Sequence, residues 1–267
     1  MSTIILLVYF EYAHELAILL APDTRLMKAA SRRAETKSPG ASTLPVSEPK
    51  LPLTERVYAA LKKDIITGVL RPGQAFTEKD LAHKYAASRT PVREAAVRLQ
   101  EEELVRIIAN RGYFVTQLTI QGMNDVYEYR AAVECACAEI LCNAKIPPQA
   151  APELEAAASF RAEAEGEFGA FIEADTAFHL GIARLTHNAL LVRAVAQMRA
   201  QTERIMFAAT DAIDVRYYGE IPAREHMAIL RAILRGDPEL ARRLMREHII
   251  GGKQKVLDLA RRDVRFL

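Results

Sequence analysis

Tryptophan is absent from this 267-residue chain, and only three cysteines occur, Cys135, Cys137 and Cys142. They sit in one apolar stretch and do not make an even set, so a disulfide framework is excluded. Cys135 and Cys137, two residues apart on a helix, point to different sides, which argues against a thiolate cluster. They are expected to be reduced, buried small residues of a cytoplasmic protein. Glycine and proline number twelve each, too few for a collagen-like or mainly disordered chain. Neither sign of charge dominates: 36 Lys and Arg against 34 Asp and Glu leave +2. The apolar run Ile4–Phe10 is too short to span a bilayer, and Glu11, His14 and Glu15 interrupt the stretch after it. No basic residue precedes that run, as a secretory signal requires. No membrane partner is expected.

What is present is helix-forming. Half of the residues are apolar, enough for a sizeable core, and Ala, Leu, Arg and Glu are abundant. At ~150 residues per domain the length suggests two domains. The small net charge hides a gradient. Residues 1–49 carry 5 basic and 5 acidic side chains, residues 50–117 carry 12 and 8, and residues 118–267 carry 19 and 21. A basic block compatible with nucleic acid thus precedes a slightly acidic one. Residues 1–50 are read as an N-terminal extension and flexible linker, because Ser, Thr, Pro, Lys and Glu dominate from Pro22 to Pro52. Two readings of residues 1–26 stand side by side: translation begins at Met27 or nearby, or a short helix there packs on a partner or on the second domain.

Residues 51–117 have the punctuation of three helices and a ribbon. Leu53, Val57, Leu61 and Ile65 form one apolar stripe, with Thr54 as a candidate cap. Thr77 opens a second helix with Asp80 at the third position of a capping box. Ser88 or Thr90 opens a third, with Pro91 in its first turn and Val92, Ala96 and Leu99 facing inward. The β-prone pieces Leu104–Ile108 and Tyr113–Thr116 meet at Asn110-Arg111-Gly112. This is the order of a winged helix-turn-helix. Arg89 and Arg93 are four residues apart and share a helix face. A guanidinium there can fork a guanine edge or hold a phosphate.

The stretches GVLRPG, SRTPVREA and NRGYFV, in that order, resemble the DNA-binding domain of the GntR family of bacterial transcription regulators. The resemblance covers about sixty-five residues. It implies that Lys79, Ser88, Arg89, Thr90 and Arg93 face DNA, with Arg111 and Gly112 at the wing tip near the minor groove. Two departures stand out. Ala86-Ala87 replaces the family's glycine-valine in the helix turn, and Glu103 replaces the glycine before Leu104. At Ala86 a positive φ would be strained.

Residues 118–267 are expected to form an all-helical antiparallel bundle, with segments near 120–145, 150–165, 168–186, 189–211, 219–235 and 238–264. Pro147-Pro148 ends the first, and Gly236-Asp237-Pro238 supplies a helix stop, an N-cap and a first-turn proline in succession. Asp175 and His179 leave one helix face together. His226 lies ten residues before Gly236 and His248 twelve after it, so antiparallel helices bring them to similar height. Four ligands from three helices can therefore meet. A divalent ion such as Zn, Ni or Mn suits one carboxylate and three imidazoles.

The same stretches resemble the FCD subgroup of GntR regulators, and the complete quartet implies its metal-binding branch rather than its acyl-CoA branch. Arg130 is a candidate grip for a carboxylate effector, or else a partner of Glu134 four residues on. Asn188 is a candidate cap for the next helix, while His14, His83 and His187 receive no role. The expected protein is mainly α and not an enzyme. It is a cytoplasmic homodimer with a winged helix-turn-helix over 51–117 and an effector, metal and dimerisation domain over 118–267. It would repress transcription from a double-stranded operator until a small organic acid binds at the metal, with Gln117–Asn124 as the hinge. The alternative is a metal-dependent hydrolase, but no HExxH-type signature supplies a general base.

Overall fold

The computed structural model describes residues 51–144, 146–147, 150–162, 167–209 and 215–260. The N-terminal extension, the Met27 start, His14 and Pro148 lie outside the described residues.

The head begins with α1 (Leu53–Ile66), whose Val57, Leu61 and Ile65 are buried. Its N-cap is Pro52 and has no side-chain cap. Thr54, expected to cap, instead donates its hydroxyl to Glu94 at 3.1 Å. Strand β1 (Ala75–Phe76) comes next. Helix α2 (Glu78–Lys84) has the full capping box: Thr77 Oγ1 accepts the Asp80 N–H, and Asp80 accepts the Thr77 N–H at 3.1 Å. Helix α3 (Arg89–Glu101) starts at Ser88 and buries Val92, Ala95, Ala96 and Leu99. These small and branched side chains let α1 pack closely on α3.

Strands β2 (Val105–Ile108) and β3 (Gly112–Val115) form the wing. The expected two-stranded ribbon has a third member. β1 pairs antiparallel with β3, giving the order β1-β3-β2, with Phe76 opposite Tyr113 and Ile108 opposite Gly112. The Phe76 and Tyr113 rings stack at 5.6 Å. At the wing tip Gly112 has φ +96°, and a Cβ there would meet the Phe76 carbonyl at 3.2 Å. Only glycine fits that turn without strain.

Among the described residues six helices follow: α4 (Ile120–Cys142), α5 (Ala150–Ser159), α6 (Phe168–Leu185), α7 (Ala189–Ala208), α8 (Val215–Leu234) and α9 (Pro238–Ala260). Helix α4 packs against α6, α7, α8 and α9. The core joins Met123, Leu141, Phe178, Ile182, Ile205, Ile229 and Met245. The cysteines are free, with Cys135 and Cys137 buried. Asn188 caps α7 by accepting the Leu190 and Leu191 N–H groups. Gly236 has φ +68°, and Asp237 Oδ1 accepts the Leu240 N–H at 3.0 Å, so the turn between α8 and α9 is built as its sequence implies. Helix α8 starts at Val215, earlier than its pattern suggests, which places Pro222 inside it.

Head and bundle touch through α7. Gln201 Nε2 donates to the Glu102 carbonyl at 2.8 Å, and the Arg204 guanidinium donates to the Thr116 carbonyl. Glu102 is the C-cap of α3, and Thr116 comes directly after β3. Helix α7 thus holds the far ends of α3 and the wing.

Both substituted glycine positions adopt left-handed backbone: Ala86 has φ +49° and Glu103 φ +62°. A Cβ in that region costs roughly 1–2 kcal/mol. Ala86→Gly and Glu103→Gly should each raise stability by roughly 0.5–1 kcal/mol after the added freedom of the unfolded chain is counted. Thermal unfolding of the two variants checks this; an unchanged or lowered midpoint would count against the strain.

Candidate metal centre and nucleic-acid face

The four side chains singled out in the bundle come together. Asp175 and His179 project from α6, His226 from α8 and His248 from α9. One ligand atom from each lies within 4.8 Å of all the others. His248 Nε2 stands 3.2 Å from Nε2 of both His179 and His226. Asp175 Oδ1 is 3.4 Å from His226 Nε2 and 3.9 Å from His179 Nε2. Two tetrahedral nitrogen ligands at a metal distance of ~2.0–2.1 Å lie about 3.3 Å apart, so the spacing fits a single ion.

The outer contacts set the same orientation. Glu134 Oε2 lies 2.5 Å from His179 Nδ1, and Glu225 Oε2 lies 2.7 Å from His248 Nδ1. The Glu225 contact is a hydrogen bond that favours a proton on His248 Nδ1 and leaves its Nε2 lone pair facing inward, whereas the Glu134 carboxylate lies beside His179 Nδ1 without a hydrogen bond. Nε2 of His179 and of His226 each lies 3.2 Å from His248 Nε2, close enough for one cation to be shared among the three. This donor set therefore fits a divalent ion.

Charge balance continues outward. Arg199 on α7 donates through Nη2 to Asp175 Oδ2 and through Nε to Thr176 at 3.1 Å. Arg130 donates through Nε to Glu134 at 2.7 Å. All four charged groups of these pairs are buried. The arginines hold the Asp175 and Glu134 carboxyls well below the carboxylate range, overcoming the opposing effect of burial. Burial pushes His179 down to about 4 and His226 well below its ordinary value, which favours the neutral, ligating form of those two imidazoles. Arg130 Nη2 and Arg199 Nη1 are buried without a hydrogen-bond partner among the described residues.

Arg199, Glu134 and Glu225 had not been singled out for the centre. A signal for Arg199 was available. It interrupts the buried stripe Val192, Val195, Thr202 and Met206 on α7, and a charge on such a stripe needs a buried partner. His187 stands apart, exposed at φ +53° beside the α7 cap, and His83 is exposed on α2.

On the head, Lys79, Ser88, Arg89, Thr90, Arg93 and Arg111 are all exposed. Ser88 is the N-cap of α3, and Arg89 and Thr90 are its first two residues. The free N–H groups of that helix start suit a phosphate. Arg111 is at the wing tip beside Gly112. Arg93 is not free. Its Nε and Nη2 donate to the two oxygens of Glu78 at 2.7 and 3.1 Å.

An arginine-bearing helix with a three-stranded wing, joined to a helical bundle, defines a winged helix-turn-helix protein with an all-helical second domain. Residues 53–115 match the family described as bacterial regulatory proteins, gntR family, and residues 125–251 match the FCD domain. The Escherichia coli (strain K12) HTH-type transcriptional repressor RspR is 25% identical over 202 residues, 75% of this chain and 87% of that protein. An HTH-type regulator in an unstable DNA locus of Streptomyces ambofaciens is 30% identical over 193 residues, 72% and 80% of the two chains. The solved structure of E. coli McbR/YncC is similar in fold, with a TM-score of 0.68 at 22% identity over 79% of this chain and 99% of that one. The chain belongs to the GntR family of transcriptional regulators and carries an FCD domain.

Arg199→Leu should leave Asp175 buried without its counter-charge and cost about 3–5 kcal/mol in the metal-free protein. Denaturant unfolding reads this as a lower midpoint. The Asp175→Asn/Arg199→Leu pair should cost less than the two single changes together. Strict additivity would contradict the coupling.

Proposed function

We propose that this chain is a metal-dependent, effector-controlled repressor that binds its operator as a homodimer in the bacterial cytoplasm. The observation that carries the reading is the convergence of Asp175, His179, His226 and His248 in a bundle whose α7 also grips the head. These four side chains would hold a divalent ion, with Zn, Ni and Mn the candidates. When bound, the ion supplies Lewis-acid coordination for an anionic effector. The buried, unpartnered Nη2 of Arg130 favours a small carboxylate as that effector. The RspR relative is named a repressor, which supports the same sign of control here.

On the head, Arg89 and Arg93 would enter the major groove while Ser88, Thr90 and Lys79 meet the backbone. Arg111 and Gly112 would approach the minor groove. Two heads in a dimer would meet half-sites one helical turn apart. Control requires that the effector bind two head arrangements with different affinity. Asp175 offers one oxygen to the centre and the other to Arg199, so a shift at Asp175 would pass to α7 and reach Gln201 and Arg204. Gln117–Asn124, between wing and α4, would absorb the movement. A metal-dependent hydrolase has less support, because it leaves the DNA-binding head without a use.

Thermal-shift titration with zinc, nickel or manganese chloride should raise the unfolding temperature of the native chain and leave Asp175→Ala/His179→Ala unmoved. Candidate carboxylates should release wild-type protein from DNA selected out of a random duplex pool, and chelator should abolish that release. A response that persists in the double variant would contradict control through the metal. Arg89→Ala should lower affinity for the selected duplex by about 1–3 kcal/mol.

A further inference from the structure

Glu78 is a carboxylate on the face of the head that carries Arg89 and Arg93. An acidic group there opposes the approach of a polyanion, so its presence calls for a specific use. Both of its oxygens are occupied. Oε1 accepts from Arg93 Nε at 2.7 Å and from Tyr113 Oη at 2.6 Å, and Oε2 accepts from Arg93 Nη2 at 3.1 Å. Three elements meet at this one side chain: Glu78 is the first residue of α2, Arg93 belongs to α3 and Tyr113 to β3.

The burial of the two partners is unequal. The Arg93 side chain is 66% exposed and that of Glu78 only 17%. A pair so open to water on one side adds little to stability. It does constrain direction. A guanidinium has two donor edges, and the Nε edge of Arg93 is spent on Glu78. The terminal edge, with Nη1, remains for an outside acceptor. A fork held in one plane matches the paired acceptors of a guanine edge or a phosphate, whereas a swinging side chain loses rotamer entropy on contact.

We propose that Glu78 is a specificity-determining positioning residue. It clamps the Nε edge of Arg93, and Tyr113 of the wing clamps Glu78, so the terminal edge of Arg93 meets DNA in a fixed orientation. This inference rests on the reading that Arg93 contacts DNA. Glu78 touches no base itself, since its acceptors are filled. Its negative charge lowers affinity for any duplex, and its clamp raises affinity for the matching one. The two effects separate experimentally.

The test uses the full chain, a duplex selected by the wild-type protein from a random pool, and a scrambled duplex of equal length. Glu78→Gln keeps the shape but loses the charge and one acceptor. It should bind scrambled DNA as tightly as wild type or more so, while the selected-to-scrambled affinity ratio falls about 5-fold or more, the scale of a fixed bidentate arginine contact. Arg93→Ala should lower the ratio on its own, and adding Glu78→Gln to it should change the ratio no further. Tyr113→Phe, which removes only the outer clamp, should lower the ratio by less. An unchanged ratio for Glu78→Gln beside a lowered one for Arg93→Ala overturns the proposal. So does an equal loss on both duplexes with a lower unfolding temperature, which is the mark of a structural role. An unchanged ratio for Arg93→Ala refutes the DNA contact itself, and the inference falls with it.

Discussion

The arrangement of the bundle depends on one ion pair, Asp175 with Arg199. Neither group could be buried alone, because a lone charge in the interior costs several kcal/mol even after relaxation. Together they are buried on facing helices, and the pairing fixes α6 against α7 in register. Asp175 also borders the three imidazoles. The same carboxylate is therefore both a structural anchor and a candidate ligand. One oxygen is anchored by Arg199, which leaves the other turned toward the imidazoles. The pair Arg130 and Glu134 repeats the device on α4, where Glu134 accepts from the guanidinium through one oxygen and sets the other beside His179 Nδ1. Two buried arginines thus orient two carboxylates, and those carboxylates help to orient the centre.

Helix α7 extends this network to the head. Along six residues it buries Arg199, Gln201, Thr202 and Arg204. Arg199 faces the centre, while Gln201 and Arg204 face the ends of the recognition helix and the wing. Both outward contacts are accepted by backbone carbonyls, so they report where the chain runs rather than which side chain it carries. Arg204 has no carboxylate partner among the described residues, and burial pulls its guanidinium down to about 10. An uncompensated cation is a costly way to fasten two domains. It makes the junction weaker than an apolar one of equal area, as the proposed rearrangement of the head would require.

The elements most readable from sequence were those whose cause is local. The capping box at Thr77 and Asp80, the Asn188 cap and the Gly236-Asp237-Pro238 turn are all built from neighbouring residues, and each stands where its residues imply. The quartet was readable for a related reason: helical rise and an antiparallel turn convert sequence spacing into height. The features that escaped are those decided by distant partners. Strand β1 is two residues long, too short to show alternation, and exists because β3 offers it an edge. Thr54 lost its capping role to Glu94, forty positions away. Arg199 finds Asp175 and Glu78 finds Arg93 across helices whose packing no local pattern specifies. The left-handed residues Ala86 and Glu103 are an intermediate case. Comparison with the family's glycines exposed the positions, but φ is set by the turn, which closes despite the side chain.

The two arginine–carboxylate pairs, Arg93 with Glu78 and Arg199 with Asp175, use one chemistry at different depths. At the surface, water screens the charges, so the pair contributes direction more than energy. In the bundle, screening is lost and the same contact contributes large coupling, since disturbing either partner exposes the other's desolvation cost. A protein that senses a small molecule and reads a duplex, as proposed for this chain, would use both. The deep pair makes a shift at the centre energetically consequential for α7. The shallow pair would keep Arg93 aimed, on the proposed reading, without holding the head too rigidly to track the groove. Between them lies α7, which meets the carbonyls of Glu102 and Thr116 and also packs on α1. On the proposed reading, a displacement of α7 would therefore reach α1, α3 and the wing together, and would change the placement of the head more than its internal shape.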